Sequence, residues 1–349
     1  MQKREKPVVL VTAVGAPPGL NALRALHESE KYTLIAADAD YRSPGLYQYG
    51  TRHVVLPLAT ETEKYLVALD ALIREQSISV VLPCLEDEVL VMARAQAQIR
   101  KAGAMVLLPD EAIILATTDK GRAALRAIEL GLPCPRSLVL RQPMDGGARR
   151  NVIDQFYKTV PPPWIVKPVW GHGMKGIERI EKVETMDSFI YSDEAFIVQE
   201  YIPGAIGSMY LVGLLYDKYG QLRREFTSRS IRTLFPDGGP ATAGVSVRRL
   251  DIINYTDRLI QNLGGWRGPL NAEWMLDPRD GLPKFIEINP RLWGYGYLAT
   301  GSGINFADCT AALALNIDIG SDPGFREGVT LLRSTNDLIF DHHPFAIKN

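Results

Sequence analysis

The sequence predicts an α/β unit followed by α+β architecture, and three observations carry that reading. Residues 7–108 alternate short apolar strand-like runs with amphipathic helix-like segments, as βαβ units of a parallel sheet covered on both faces do. From Thr117 onward the order changes to helices followed by strands in succession, separated by Gly- and Pro-rich loops. At 349 residues, 46% of them hydrophobic, the chain exceeds one ordinary core and calls for two or more domains.

The first unit reads, in order, PVVLVTAV, LNALRALHES, TLIAADAD, YLVALDALIREQ, ISVVLPC, EDEVLVMARAQAQIRKAG and AMVLLP. Its first turn, GAPPGLNALRAL, together with Asp38 and Asp40 after the second strand, invites a nicotinamide-dinucleotide reading. The spacing from Gly15 to Gly19 across Pro17 and Pro18 is not G-x-G-x-x-G, and such a turn serves equally as a tight strand-to-helix connection. An NAD(P)-dependent oxidoreductase is therefore the weaker alternative.

The second unit opens with TTDKGRAALRAIELGLPCPRSLVL, a helix with Asp119 near its start and Gly131 at its end, then a strand. NVIDQFYKTV reads as a further helix and PPP as a spacer. PPPWIVKPVWGHGMKGIERI is a strand bearing Lys167 that opens into a loop with Gly171, Gly173 and Gly176. Glycines let backbone approach a polyphosphate and successive amides form an anion-binding concavity. The loop lacks the Lys and Ser/Thr of a Walker A motif. His172, in the same loop, reads as a solvated side chain or a base for the chemistry. AFIVQEYIPG, GSMYLVGLLYD and REFTSRSIRTLF follow as strands, and the Gly- and Pro-rich stretch 236–244 reads as a flexible cover. Arg229, Arg232 and Arg248 flank it, an arrangement suited to an anionic substrate. INYTDRLIQNLGG is a helix ending at Gly264.

The chain then reaches NAEWMLDPRDGLPKFIEINPR, residues 271–291. Period-two alternation sets Asn271, Glu273 and Met275 on one face, and puts Glu287 and Asn289 together with Phe285. A hairpin centred near Asp280 brings Glu273 opposite Glu287. Like charges about 5 Å apart across a strand pair repel unless a cation lies between them, and oxygen-only ligands suit Mg²⁺.

Bulk properties narrow the classes of partner. Net charge is −1 with both signs mixed, which argues against nucleic acid or an anionic membrane. Cys84, Cys134 and Cys309 are far apart with no zinc-like spacing and suit a reducing compartment. The apolar run after MQKREK is one strand long, shorter than a signal peptide core or a span, so the expected location is the cytoplasm.

Taken together, DK plus helix, a strand-borne Lys before a Gly-rich loop, QEYIPG, NAEWMLD and EINPR resemble the ATP-grasp superfamily. From about Lys6 to Asp318 the chain is similar to its single-chain carboxylate-amine ligase and carbamoyl-phosphate-synthetase-like branch. The resemblance implies a pre-ATP-grasp Rossmann-like domain (1–115), a small lid subdomain (116–200) and a large subdomain with the metal site (201–349), the last two clasping ATP. It implies phosphate contacts from Lys120, Lys167 and a lid loop containing Gly171, His172, Gly173 and Gly176. Gln199, Glu200, Tyr201 and Ile202 would form the hinge against adenine, with Met275 covering the ring. Mg²⁺, or Mn²⁺, would be held by Glu273, Glu287 and Asn289. Arg291 would steady the reacting phosphate and acyl group; Arg229 and Arg232, from their place beside the Gly- and Pro-rich stretch, are the further catalytic candidates. GAIGSMYLV lacks the carboxylate that many members present to ribose, and Ser208 is the substitute. No second ATP-grasp copy is present, which argues against a complete carbamoyl phosphate synthetase. The implied function is ATP- and Mg²⁺-dependent coupling of a small carboxylate to an amine, in a chain that admits a homodimer. A nucleotide-binding sensor without turnover is the alternative from another class.

Overall fold

The computed structural model describes residues 5–49, 51–141, 144–171, 176–204, 207–235, 238–334 and 336–339. Three sheets organise them. The first contains β1 (Val8–Val11), β2 (Thr33–Asp38), β3 (Arg52–Val55) and β4 (Ile78–Leu82) in the order β3-β2-β1-β4, all parallel. Such strands are buried on both sides, hence the continuous apolar runs. One face packs on helices Thr62–Glu75, Glu86–Arg94 and Gln96–Ala102, and the other on Pro17–Ser29. AMVLLP, read as a strand, is reduced to a single parallel bridge from Met105 to Val80, while β3, with exposed Arg52 and His53, escaped the apolar-run criterion.

The second sheet is antiparallel, with β5 (Ser137–Leu140), β6 (Trp164–Pro168), β7 (Glu178–Ile180) and β8 (Phe196–Glu200) in the order β5-β8-β6-β7. Helix Gly146–Thr159, capped by Asp145 accepting from the Ala148 amide, covers it through Ile153.

The third sheet holds β9 (Met209–Tyr216), β10 (Leu222–Phe235), β11 (Gly238–Ser246), β12 (Gly268–Leu276), β13 (Pro283–Asn289) and β14 (Thr330–Leu332), in the antiparallel order β13-β12-β9-β10-β11-β14. Tyr210, Val212, Leu214, Ala272 and Trp274 form one face, packed on helices Lys120–Glu129 and Leu250–Asn262. Leu211, Leu215 and Phe226 on the other face join Trp293, Tyr295 and side chains of the first sheet in one core. The stretch 236–244, expected to be a flexible cover, is corrected: from Gly238 onward it is strand β11, paired with β10 and β14, while 236–237 lie outside the described residues. Gly244 is required there because a Cβ would fall 1.7 Å from the Tyr295 hydroxyl oxygen.

The dinucleotide alternative meets a filled turn. Asp38 accepts from the Gly15 amide at 2.7 Å and from the Ser43 hydroxyl at 2.7 Å, so its carboxylate closes the loop it would need to leave open for a ribose. Among the described residues no helix is long and apolar enough to cross a membrane.

Candidate active site

The acidic hairpin forms with the expected opposition. Glu273 pairs directly with Glu287, and Asn271 with Asn289. The same row crosses the sheet as Glu287, Glu273, Leu211, Ser228 and Ser246, and directly paired residues share a face. Phe285 does not share that face. The register shifts between Glu273 and Trp274, so that Trp274 pairs with Phe285 and Ile286 is left over as a bulge. Phe285 and Ile288 therefore both point into the core, at 1% and 4% exposure, beneath a carboxylate that points away from it.

Two lysines reach this acidic face from elsewhere. Asp119 caps helix Lys120–Glu129 by accepting from the Arg122 amide, and Arg141 Nη2 donates to its two carboxylate oxygens at 2.7 and 2.8 Å. The Lys120 amide donates to the Val169 carbonyl, tying that helix start to the end of β6. Lys120 Nζ lies 3.5 Å from Glu287 Oε2 and donates to the Gly171 carbonyl at 2.5 Å. Lys167, on β6, is 5% exposed; burial pushes its ammonium below the usual lysine range, an effect opposed by Glu287 and Glu273 and reinforced by Lys120. Lys167 is an ammonium removed from water beside two carboxylates.

Glu273 shows the complementary strain. Burial, and then the neighbouring Glu287 charge, push the Glu273 carboxyl up to about 7, against the pull of Arg291, Lys167 and Lys120. The Asn289 amide nitrogen lies 3.5 Å from an oxygen of each acid. A half-turn of that amide presents its oxygen to the same place. Two carboxylates and an amide oxygen on one face fit a hard divalent cation. Among the described residues no group of three or more His, Cys, Asp or Glu side chains converges as a metal site, so the pair and the amide are the set to consider.

Arg291 is held by the first unit. Its Nε and Nη2 lie 2.9 and 2.6 Å from Glu86 Oε1, Nη2 lies 3.4 Å from Asn289 Oδ1, and Nη1 donates to the Leu292 carbonyl. Glu86 begins helix Glu86–Arg94 and was not singled out in the sequence, where an acid in a first turn reads as dipole compensation.

The hinge segment follows β8. The Glu200 and Tyr201 amides donate to the carbonyls of Arg136 and Pro163, Gln199 donates to the Ser137 hydroxyl, and Ile202 is buried. Met275 sits against this segment, since a Cβ on Gly204 would come within 2.9 Å of its sulfur, and the Leu276 amide donates to the Ser208 carbonyl. Ser208 is thus held beside Met275. The Glu200 side chain is bound by Arg136 and Arg279, neither of them marked in the sequence.

Other candidates are placed apart. Arg229 pairs with Tyr210, whose row continues to Trp274, so it projects from the face opposite Glu273 and is corrected as a neighbour of the acids. Exposed Arg232 donates to the Thr242 hydroxyl, and Arg248 pairs with Glu327. In the lid loop Gly171 and Gly176 adopt positive φ, while His172 and Gly173 lie outside the described residues. The hydroxyls of Ser228 and Ser230 and the Tyr295 hydroxyl are buried without a partner within the described protein, a feature that sequence cannot signal because it depends on which face each strand buries. The surface grooves beside Arg223, Arg248 and Asp322, and beside Asp145 and Tyr191, contain none of the acids or lysines.

Comparison with known proteins agrees with this geometry. Residues 118–295 match the model of the ATP-grasp domain. A D-aspartate ligase of Enterococcus faecium (strain Aus0004) is 27% identical over 196 residues, 51% of this chain and 45% of that protein, so the chain spans less than half of that curated relative. The L-amino acid ligase of Bacillus licheniformis superposes with a TM-score of 0.63 at 16% identity over 90% of this chain and 75% of that one. Biotin carboxylase of Campylobacter jejuni, solved as a β-γ-ATP complex, gives 0.70 at 17% identity over 93% and 74%. These two likenesses establish the fold. With the family match covering half its length and the clasp of lysines over paired acids inside that match, the chain belongs to the ATP-grasp family.

Proposed function

We propose that the protein is an ATP- and Mg²⁺-dependent ligase that activates a small-molecule carboxylate as an acyl phosphate and couples it to an amine, releasing ADP and phosphate. The observation that carries this reading is the convergence of Lys120, from a helix start, and Lys167, from the second sheet, on Glu273 and Glu287 of the third, with Arg291 beside Asn289. Phosphoryl transfer needs positioning and charge neutralisation more than a protein nucleophile. Lys120 and Lys167 bind the ATP phosphates, and residues 199–202 with Met275 hold adenine. Ser208 is the candidate ribose contact. Glu273, Glu287 and Asn289 would hold Mg²⁺, or Mn²⁺, which when bound supplies charge neutralisation for the phosphates. Arg291, steadied by Glu86, orients the acid against the γ-phosphorus. The substrate carboxylate oxygen attacks that phosphorus and ADP leaves; the amine then attacks the acyl carbon, phosphate leaves, and the amine loses a proton. Arg232 remains a candidate for substrate contact from the β10–β11 hairpin.

The similarity to a protein named D-aspartate ligase supports C–N bond formation as the reaction class. The division at 115 and 200, a cytoplasmic location and small-molecule partners belong to the same proposal. A screen of carboxylate and amine pairs for ADP and phosphate release, with mass spectrometry of products, tests it. Amide product formed in step with ADP is the expected result. MgATP binding with no turnover on any pair would point instead to a nucleotide-binding sensor.

A further inference from the structure

The turn between β12 and β13 does more than reverse the chain. Asp277, 1% exposed, accepts from the Arg279 amide at 2.9 Å and from its guanidinium Nε and Nη2 at 2.9 and 2.6 Å. That grip leaves Nη1 directed across to the second sheet, 2.7 Å from Glu200 Oε1. The other oxygen of Glu200 accepts from the Arg136 amide and Nε, both at 3.3 Å, and Arg136 Nη1 is anchored on the Thr159 carbonyl. Glu200 is the last residue of β8 and opens the hinge. Two further links run parallel to the ion pair: Met275 against Gly204, and the Leu276 amide to the Ser208 carbonyl. The hinge is therefore fastened along its length to the strand that carries Glu273.

We infer that Arg279 is a positioning residue for nucleotide: by bridging Asp277 and Glu200 it sets where the hinge backbone stands relative to the acidic strand, and so sets base affinity and base selectivity. The inference rests on the reading of 199–202 as the adenine hinge. Arg279 touches no reacting atom in this scheme. Its side chain is 46% exposed while those of Asp277 and Glu200 are 2% and 14% exposed, so the bidentate, two-partner arrangement fixes geometry between the turn and the hinge, and its loss also leaves the Asp277 carboxylate unpaired. The chemistry of selectivity is direct. Backbone carbonyl and amide groups of a hinge meet the amino and ring-nitrogen edge of adenine with complementary donors and acceptors, and guanine presents the reverse pattern on that edge. A hinge released by even a fraction of a hydrogen-bond length loses that discrimination before it loses phosphate contacts.

The test is calorimetric titration of the full chain with Mg²⁺ and a non-hydrolysable ATP analogue, and with the GTP counterpart, for wild type, Arg279→Ala, Arg279→Lys and Glu200→Gln, with the melting temperature of each nucleotide-free protein. Arg279→Ala is expected to weaken the ATP analogue by about tenfold, the loss of one charge-assisted hydrogen bond from the bound geometry. GTP-analogue affinity should change less, so that the ratio narrows, and nucleotide-free melting should fall because the buried Asp277 carboxylate loses its partner. Arg279→Lys, which keeps one contact, should recover part of the ratio, and Glu200→Gln, which keeps an acceptor, should be mild. An unchanged ATP-to-GTP ratio in Arg279→Ala overturns the inference, whether or not the variant melts earlier. Failure of wild type to bind the ATP analogue saturably overturns the hinge reading itself, and the inference with it.

Discussion

Lys167 and Glu273 are the two residues whose individual chemistry is most altered by the fold, and in opposite senses. Desolvation makes the ammonium easier to lose and the carboxyl harder to ionise, while each partly relieves the other. Lys167 is a counter-charge for Glu287 and Glu273, and on the proposed reading it becomes a phosphate ligand when nucleotide binds. Lys167→Met keeps the apolar stem and removes the charge. It should weaken ATP binding at least tenfold and, without Mg²⁺, cost about 1–3 kcal/mol of stability, below the range for a fully buried pair because Lys120 remains beside Glu287. Added Mg²⁺ should recover more of the melting temperature in the variant than in wild type. Equal ATP dissociation constants in a titration, or a Mg²⁺ response no larger than wild type's, would count against both halves of the assignment.

At the scale of elements, the entry to helix Glu86–Arg94 shows how a local device serves a distant site. Glu88 is buried, and its Oε2 accepts from the Thr12 hydroxyl at 2.6 Å and from the Cys84 and Leu85 amides at 3.3 and 3.2 Å, a capping-box arrangement. It clamps the loop that presents Glu86 to Arg291. Burial pushes its carboxyl up to about 7, from an ordinary value of 4.5, against those hydrogen bonds. Between about pH 4.5 and 7 the folded protein therefore keeps a proton that the unfolded chain releases. Stability falls as pH rises through that window and levels off above it, by up to about 3 kcal/mol at 1.36 kcal/mol per pKa unit. Glu88→Gln keeps an acceptor oxygen without the charge. Denaturant titrations should show the variant matching wild type near pH 5 and exceeding it near pH 8. Parallel pH curves for the two proteins would rule out Glu88 as the titrating group. Elements of this kind were partly legible in the sequence. The βαβ order, the helix capped at Asp119 and the Glu273–Glu287 opposition follow from periodicity and turn residues, which are local. The bulge at Ile286 was not legible, because an isoleucine fits either face and only packing of Phe285 and Ile288 decides. Strand β11 was hidden by its Gly and Pro content, since its pairing is supplied by β10 and β14 rather than by its own propensity. Glu86 gained Arg291, and Arg279 gained Glu200, only through contacts between segments far apart in sequence.

For the whole molecule, the proposed reading sets one nucleotide between the second and third sheets. A ligand that contacts the second and third sheets binds only the folded chain and stabilises it by mass action, by about 2.7 kcal/mol at a hundredfold excess over its dissociation constant. MgATP should raise the melting temperature, and NAD or NADP should leave it unchanged because Asp38 already closes the first βα turn. Stabilisation by a nicotinamide nucleotide and none by ATP would move the nucleotide site to the first, parallel unit.

The ion pair from Arg291 to Glu86 joins residues 205 positions apart, so on the proposed mechanism the first unit steadies the arginine that acts on the acid. With a competent acid supplied and the amine withheld, an acyl phosphate should accumulate, and hydroxylamine should trap it as a hydroxamate. Arg291→Ala should lose trapping by 100-fold or more, on the order seen when a preorganised charge-stabilising donor is removed, while ATP affinity changes by less than about threefold. The split is expected because an interaction that strengthens only as charge moves onto the acid and the transferring phosphoryl group acts on turnover rather than on ground-state binding. Arg291 also neutralises Glu86, and the two side chains are 14% and 16% exposed, so the variant should melt earlier as well. Glu86→Gln separates the two effects: it retains an acceptor for Arg291 and lowers the charge, so it should keep most of the trapping. An Arg291→Ala protein that melts early yet traps hydroxamate at the wild-type rate would leave Arg291 as a strut between sheets and move the catalytic charge to Lys120 and Lys167 alone.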